Sequence, residues 1–280
     1  TLIGDFPNMI IGAAGKLHFD DFIGGMMVPC LLMLGILLGT FRRRMVRSED
    51  SEVMTGKIEP AAGKPPVVDR YLSRMGLSVL GVTLLALVFA QPLGLQPATI
   101  ALVAGVTILG WGRVPRETLF KAMSGGDILF FAALFTMVGG LQAAGALAGL
   151  HDLIVTLGGN HATRSVLILM WMSALLTPFL NAGPTTALLV PVAGVLNQEF
   201  SGSPVWWALS LGVLAGSSAT LSGATAGPVV ASQMLHQLAE YRRASHSGWR
   251  LDSGRYRRWG IPMAITFLVF STLYIALLSL

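Results

Sequence analysis

Thr220-Leu221-Ser222-Gly223-Ala224-Thr225-Ala226-Gly227-Pro228-Val229-Val230 breaks a long apolar stretch with small, polar and helix-breaking residues. The same pattern stands at the other end of the chain, in Thr1-Leu2-Ile3-Gly4-Asp5-Phe6-Pro7-Asn8-Met9-Ile10-Ile11. Both read Thr-Leu-x-Gly, then a Pro/Gly/Asn cluster, then aliphatic residues. Their flanks also correspond: Gly25-Met26-Met27-Val28-Pro29 follows the first and Gly260-Ile261-Pro262 the second. A helix in lipid tolerates such a cluster only where the freed backbone groups line a protein-enclosed or watery cavity. Broken helices in matching positions of two halves point to a secondary-transporter site. The alternative is a pair of ordinary Gly/Pro kinks.

Composition excludes a soluble globular domain. Hydrophobic residues make up 53% of the chain and charged residues 12%, with a mean hydropathy of +0.68. Uncharged runs long enough to span hydrocarbon lie at 22–41, 75–98, 128–150 and 259–280. Continuous runs of this kind predict a polytopic all-α membrane protein, not the short alternating segments of a β-barrel. The formal charge of +5 comes from basic residues in short loops between apolar runs, so it reads as membrane topology and not as nucleic-acid binding. The single cysteine, Cys30, has no partner for a disulfide and reads as a small buried hydrophobe. His18, His151, His161, His236 and His246 show no metal-ligand spacing, and no soluble catalytic motif or nucleotide fingerprint is present. The chain is read as neither an enzyme nor a cofactor-bearing protein.

Loop charge sets an expected topology. Arg42, Arg43, Arg44, Arg47, Lys57, Lys64, Arg70 and Arg74 crowd one connector, and Arg242, Arg243, Arg250, Arg255, Arg257 and Arg258 another. Arg113, Arg116 and Lys121 form a third, smaller group, whereas 92–97 and 198–204 carry no Lys or Arg and 151–164 only Arg164. The positive-inside rule places the first three in the cytoplasm and the others opposite. The two Thr-Leu-x-Gly breaks then run antiparallel, as in an inverted repeat. The expected division is 1–41 as the end of a first repeat, 42–76 as a basic cytoplasmic linker and 77–280 as a second repeat. Within the second repeat, 205–241 is the broken helix and Asp127 an N-cap of the 128–150 span.

The uncharged run 165–198 must start and finish on the outer side. Its middle, Pro178-Phe179-Leu180-Asn181-Ala182-Gly183-Pro184-Thr185-Thr186, has the composition of a turn. Arms of about 13–15 residues fall short of the ~20 needed to cross, which predicts a re-entrant hairpin. Two tilted short spans joined by a loop are the alternative.

A hairpin tip meeting a broken helix would gather carbonyls, amides and hydroxyls. Half-helix N-termini suit anionic groups, and unwound carbonyls and side-chain oxygens suit a hard cation. The candidates are Thr1, Gly4, Asp5 and Asn8 at the first break and Asn181, Thr185 and Thr186 at the hairpin. Ser217, Ser218, Thr220, Ser222, Gly223 and Thr225 are those of the second break. Asp5 stands out, because a carboxylate at membrane depth costs about 2.5–3.5 kcal/mol on insertion scales and is by default a functional candidate. It could carry a proton or pair with Na⁺; the alternative is a cap on a short half-helix. His18, Asp20 and Asp21 precede the 22–41 span, where capping is the expected role.

Several of these stretches resemble the ion transporter superfamily, which includes arsenite exporters, NhaD-type Na⁺/H⁺ antiporters and citrate carriers. They are the Thr-Leu-Ile-Gly-Asp-x-Pro-Asn start, Ala14-Gly15-Lys16-Leu17-His18-Phe19, Asp127-Ile128-Leu129-Phe130-Phe131, Pro184-Thr185-Thr186, Trp206-Trp207-Ala208-Leu209 and the segment Leu221–Gly227. Within it the likeness is greatest to a magnetosome-membrane branch. The resemblance implies an inverted-repeat fold whose hairpins and broken helices enclose one site. It also implies that this chain, starting inside a motif with no targeting stretch, is the C-terminal two-thirds of a longer protein. The family's hairpin commonly reads Asp-Asn-x-Pro-Thr-Thr; here it is Asn181-Ala182-Gly183-Pro184-Thr185-Thr186, and Gly227 stands where an Asn is usual. Loss of that hairpin carboxylate leaves Asp5 as the main intramembrane acid.

The resemblance implies secondary active transport of a small inorganic ion, H⁺ alone or in exchange for Na⁺, across an inner or magnetosome membrane, in support of pH control during magnetite formation. Export of an anion such as arsenite or a carboxylate is one rival, and a transport-dead membrane scaffold another. The partners expected are the ion, the lipid bilayer and, at most, a second copy in a homodimer. The orientation is testable with single cysteines placed in the 42–74 and 242–258 loops. A membrane-impermeant reagent applied from the periplasmic or lumenal side should label neither, and labelling of either would overturn the antiparallel arrangement.

Overall fold

The computed structural model describes residues 5–48, 70–90, 95, 97–111, 125–224 and 253–279. Among these, all regular structure is helical: α1 (Phe6–Gly15), α2 (Phe19–Ser48), α3 (Arg70–Val88), α4 (Pro97–Trp111), α5 (Gly125–Ala143), α6 (Ala146–Gly158), α7 (Ala162–Leu180), α8 (Ala182–Glu199), α9 (Val205–Ser217) and α10 (Ser253–Leu278). Segments Phe19–Thr40, Ala162–Leu180 and Tyr256–Leu278 are each long and apolar enough to cross a bilayer. The pair Ala132–Ala143 and Ala146–Gly158 adds a fourth if counted as one bent span. The protein is a polytopic all-α membrane protein.

Local chemistry sets the helix ends. Asp5 caps α1 by accepting the Phe6 N–H at 2.9 Å, and Pro7 follows in the first turn, where its missing N–H costs nothing. Lys16, at φ 53°, ends α1 in the left-handed conformation with its N–H on the Gly12 carbonyl. Asp21 reaches back to accept the His18 N–H at 2.7 Å, so it has the capping role the sequence suggests.

Four expectations are corrected. The 128–150 run is not one straight span: α5 and α6 meet at 69°, with Gly145 at φ 75°, a conformation glycine adopts freely. Because α5 already begins at Gly125, Asp127 lies within its first turn instead of capping it. The 42–76 connector is helical at both ends, since α2 runs to Ser48 and α3 starts at Arg70; residues 49–69 lie outside the described ones. The arms of the hairpin are 19 and 18 residues instead of 13–15, because α7 continues through Pro178 and α8 starts at Ala182. Only Asn181 interrupts them, so helix length no longer argues for re-entry.

One core joins α1, α2 and α5 to α10, while Leu87, Ala90 and Ile100 form a small separate cluster between α3 and α4. Among the described residues the most extensive packing is α9 against α7. Gly212 and Gly216, on one face of α9, lie directly on the Met170 and Ala174 carbonyls of α7, a small-residue contact of the kind that joins helices in lipid. Pro178 lacks the N–H that the Ala174 carbonyl would otherwise accept, and the bare Gly216 backbone fills that space.

Pro29 creates the same problem in α2, where it frees the Gly25 carbonyl. Tyr274 of α10 donates its hydroxyl to that oxygen at 2.7 Å. A Cβ at Gly25 would lie 2.6 Å from Trp207 of α9, whose ring also meets Phe22 edge-on at a centroid distance of 5.1 Å. Residue 25 thus ties α2, α9 and α10 together. Tyr274→Phe should lower stability by about 1–3 kcal/mol through the orphaned carbonyl. In a Pro29→Ala background, where residue 29 regains its N–H, the same change should cost little. Thermal unfolding of the four proteins of this cycle in detergent checks both statements.

Candidate functional site

The hairpin tip is a single residue with an unusual backbone. Asn181 has φ 75° and ψ 158°, a combination side-chain-bearing residues seldom adopt. Its Oδ1 accepts the Gly183 N–H at 3.3 Å and so caps α8, while its carbonyl accepts from both the N–H and the hydroxyl of Thr185.

The second break wraps against this tip. After α9 ends at Ser217, the chain turns through 218–224 and hydrogen-bonds across to the hairpin. The Ala182 N–H donates to the Gly223 carbonyl at 3.0 Å, and Asn181 Nδ2 to the Ser222 carbonyl at 2.8 Å and the Ala224 carbonyl at 3.4 Å. In the opposite direction the Thr220 hydroxyl donates to the Pro178 carbonyl at 3.2 Å and accepts the Gly223 N–H at 3.0 Å. A Cβ at Gly223 would crowd Thr220 Oγ1 at 2.9 Å and Pro178 Cα at 3.3 Å, so glycine is what permits this approach.

The first break reaches the same place from the far end of the chain. The ring of Phe6 of α1 lies against Gly183, where an added Cβ would be 2.8 Å from it. Asn8 Oδ1 accepts the Ser210 hydroxyl of α9 at 2.7 Å. Asp5 is exposed at the start of α1, beside Phe6 and hence beside the tip.

The candidate residues divide by what their polar groups do. Asn181, Thr220, Ser222 and Gly223 are gathered at the tip, Asp5 stands next to Phe6, which meets it, and Asn8 instead contacts Ser210 within α9. Thr185 and Thr186 are fully buried, and their hydroxyls donate to the Asn181 and Ala182 carbonyls of their own helix at 2.8 Å. Ser217 and Ser218 likewise bond back, to the Leu214 and Ala215 carbonyls. Thr1, Gly4, Thr225 and Gly227 lie outside the described residues. Ser210 was not among the sequence candidates; a lone hydroxyl inside the apolar stretch Trp206–Val213 was its only signal. Elsewhere, His151 contacts Asp152 at 3.2 Å and Glu199 at 2.9 Å, linking α6 to the end of α8. Among the described residues no group of three His, Cys, Asp or Glu could hold a metal ion.

Residues 1–212 match CitMHS, the citrate transporter family. The chain belongs to that family. It is 42% identical to the magnetosome protein MamN of Paramagnetospirillum magneticum over 99% of this chain and 65% of that protein. Identity to MamN of Magnetospirillum gryphiswaldense is 41%, over 100% of this chain and 65% of that protein. A 46 kDa membrane protein of Mycobacterium leprae is 24% identical over 98% of the chain and 63% of its own length. The chain thus spans about two-thirds or less of these relatives, 65% for the two MamN proteins. No solved structure matches it.

Proposed function

We propose that the protein is a secondary active ion transporter that moves protons, with Na⁺ as the candidate counter-ion, at the junction of α1, the α7–α8 hairpin and α9. The observation that carries this reading is the position of Asp5. It is an ionisable group at the N-terminus of a half-helix whose next residue, Phe6, is seated on the hairpin tip at Gly183. The half-helices α1 and α9, from the two Thr-Leu-x-Gly segments, both pack on α8. That common support favours an inverted repeat arranged around one hairpin. The proposed division is therefore a first repeat ending in α2 and a second holding the hairpin and the broken helix.

The similarity to magnetosome proteins supports placement in a magnetosome or inner membrane. Precipitating iron oxide releases protons, and a proton exporter would keep such a compartment alkaline enough for mineral growth. Export of a carboxylate or oxyanion is the second reading, favoured by the family's description as citrate transporters. The hairpin weighs against an anion bound at the start of α8. There the N–H groups of Ala182, Gly183 and Thr185 are taken by Gly223, Asn181 Oδ1 and the Asn181 carbonyl, and Pro184 has none to offer.

Asp5→Asn separates the roles of cap and proton carrier. Asn caps a helix as well as Asp does, so stability should change by less than about 0.5 kcal/mol. Proton flux in proteoliposomes, read with an entrapped pH dye, should nevertheless be abolished, and Asp5→Glu should keep partial flux with a shifted pH profile. Wild-type flux in Asp5→Asn would reduce Asp5 to a cap and favour the anion or scaffold reading.

A further inference from the structure

We propose that the Asn181 side-chain amide takes the place of a monovalent cation between the hairpin tip and the second break, so that this joint closes without any bound cation. The inference rests on the transporter reading of the same site and specifies its ion requirement. Two main-chain carbonyls, of Ser222 and Ala224, converge on one atom, Asn181 Nδ2, at 2.8 and 3.4 Å. Converging carbonyl oxygens repel one another unless a hydrogen-bond donor or a cation lies between them. An amide nitrogen has two hydrogens and serves both oxygens at once.

The assignment of that nitrogen follows from its surroundings. Oδ1 accepts the Gly183 N–H at 3.3 Å, and exchanging the two atoms would set an oxygen against two carbonyls and an NH₂ against an N–H. The residue is also held in place. The Ala182 N–H to Gly223 carbonyl bond and the Thr220 hydroxyl to Pro178 carbonyl bond lie on either side of it. They hold Asn181 at its strained φ of 75°. Asn181 is therefore a positioning residue: its amide aligns the break with the hairpin, and it sets the cation requirement of the joint.

Replacing this nitrogen by oxygen reverses the electrostatics at constant shape. In Asn181→Asp a carboxylate oxygen would face the Ser222 and Ala224 carbonyls, and three oxygens around one point form a site for a hard cation. The experiment is thermal unfolding of purified protein in lipid nanodiscs, in NaCl against choline chloride, with no transport assay involved. Wild type and Asn181→Ala should respond to Na⁺ equally, within about 1 °C, because Na⁺ bound elsewhere as a counter-ion shifts both alike. Asn181→Asp should be weakened in choline and regain about 5–10 °C when Na⁺ is raised a hundredfold above its dissociation constant. Asn181→Ala should be weakened equally in both. An Asp variant that is unfolded in choline and restored by Na⁺ also supports the proposal; one that Na⁺ does not restore, or that unfolds alike in both salts, overturns it. So does a wild-type protein that Na⁺ stabilises more than it stabilises Asn181→Ala. Because the readout is stability, failure here leaves the proton reading standing, and failure of the Asp5 experiment leaves this result interpretable.

Discussion

A helix broken inside a membrane releases backbone amides and carbonyls that lipid cannot satisfy, and each must find a partner within the protein. On the proposed placement of the hairpin in the membrane, joining one helix end to another meets that demand. The tip between α7 and α8 and the turn after α9 each leave polar groups over, and four hydrogen bonds between them use these groups in both directions. The place where these two segments meet is also where polar atoms collect, and the proposed site lies there.

The same constraint explains features away from the tip. Pro29 and Pro178 each free a carbonyl one turn back, at Gly25 and Ala174. Tyr274 answers the first with a hydroxyl, and Gly216 answers the second by letting α9 press against it. Gly260 of α10 lies in the same way on the Ser218 and Ala219 carbonyls just past the end of α9. Glycine and proline are thus complementary in this fold: one exposes backbone, and the other lets a neighbouring helix come close enough to cover it.

Sequence alone revealed the all-helical membrane class, because runs such as 22–41 and 259–280 are too long and apolar for anything else. It also pointed to the interruption at Asn181 and to the turn after α9, since Gly223 and the Asn181–Thr186 turn composition are local signals. Tertiary partners were not legible. Nothing local says that the Thr185 and Thr186 hydroxyls turn back onto their own helix while Thr220 reaches across to Pro178. The bend at Gly145 was hidden because its neighbours are apolar on both sides. The lengths of α7 and α8 were underestimated because Pro178 and Pro184 were read as parts of a long turn. One lies in the last turn of a helix and the other in the first turn of the next, leaving Asn181 alone between them.

The functional reading combines an acid at the start of α1 with a hairpin tip whose own donors and acceptors are already engaged. On this account the tip is a fixed support and Asp5 is the group that changes charge. The most direct test of the support is a distance between spin labels at Phe179→Cys and Ser222→Cys, with Cys30→Ala removing the native thiol, measured by pulsed electron resonance in nanodiscs. Both native side chains are exposed, and they flank the Pro178–Thr220 and Asn181–Ser222 bonds. The account predicts a single short, narrow distance distribution; a long or broad one would contradict it.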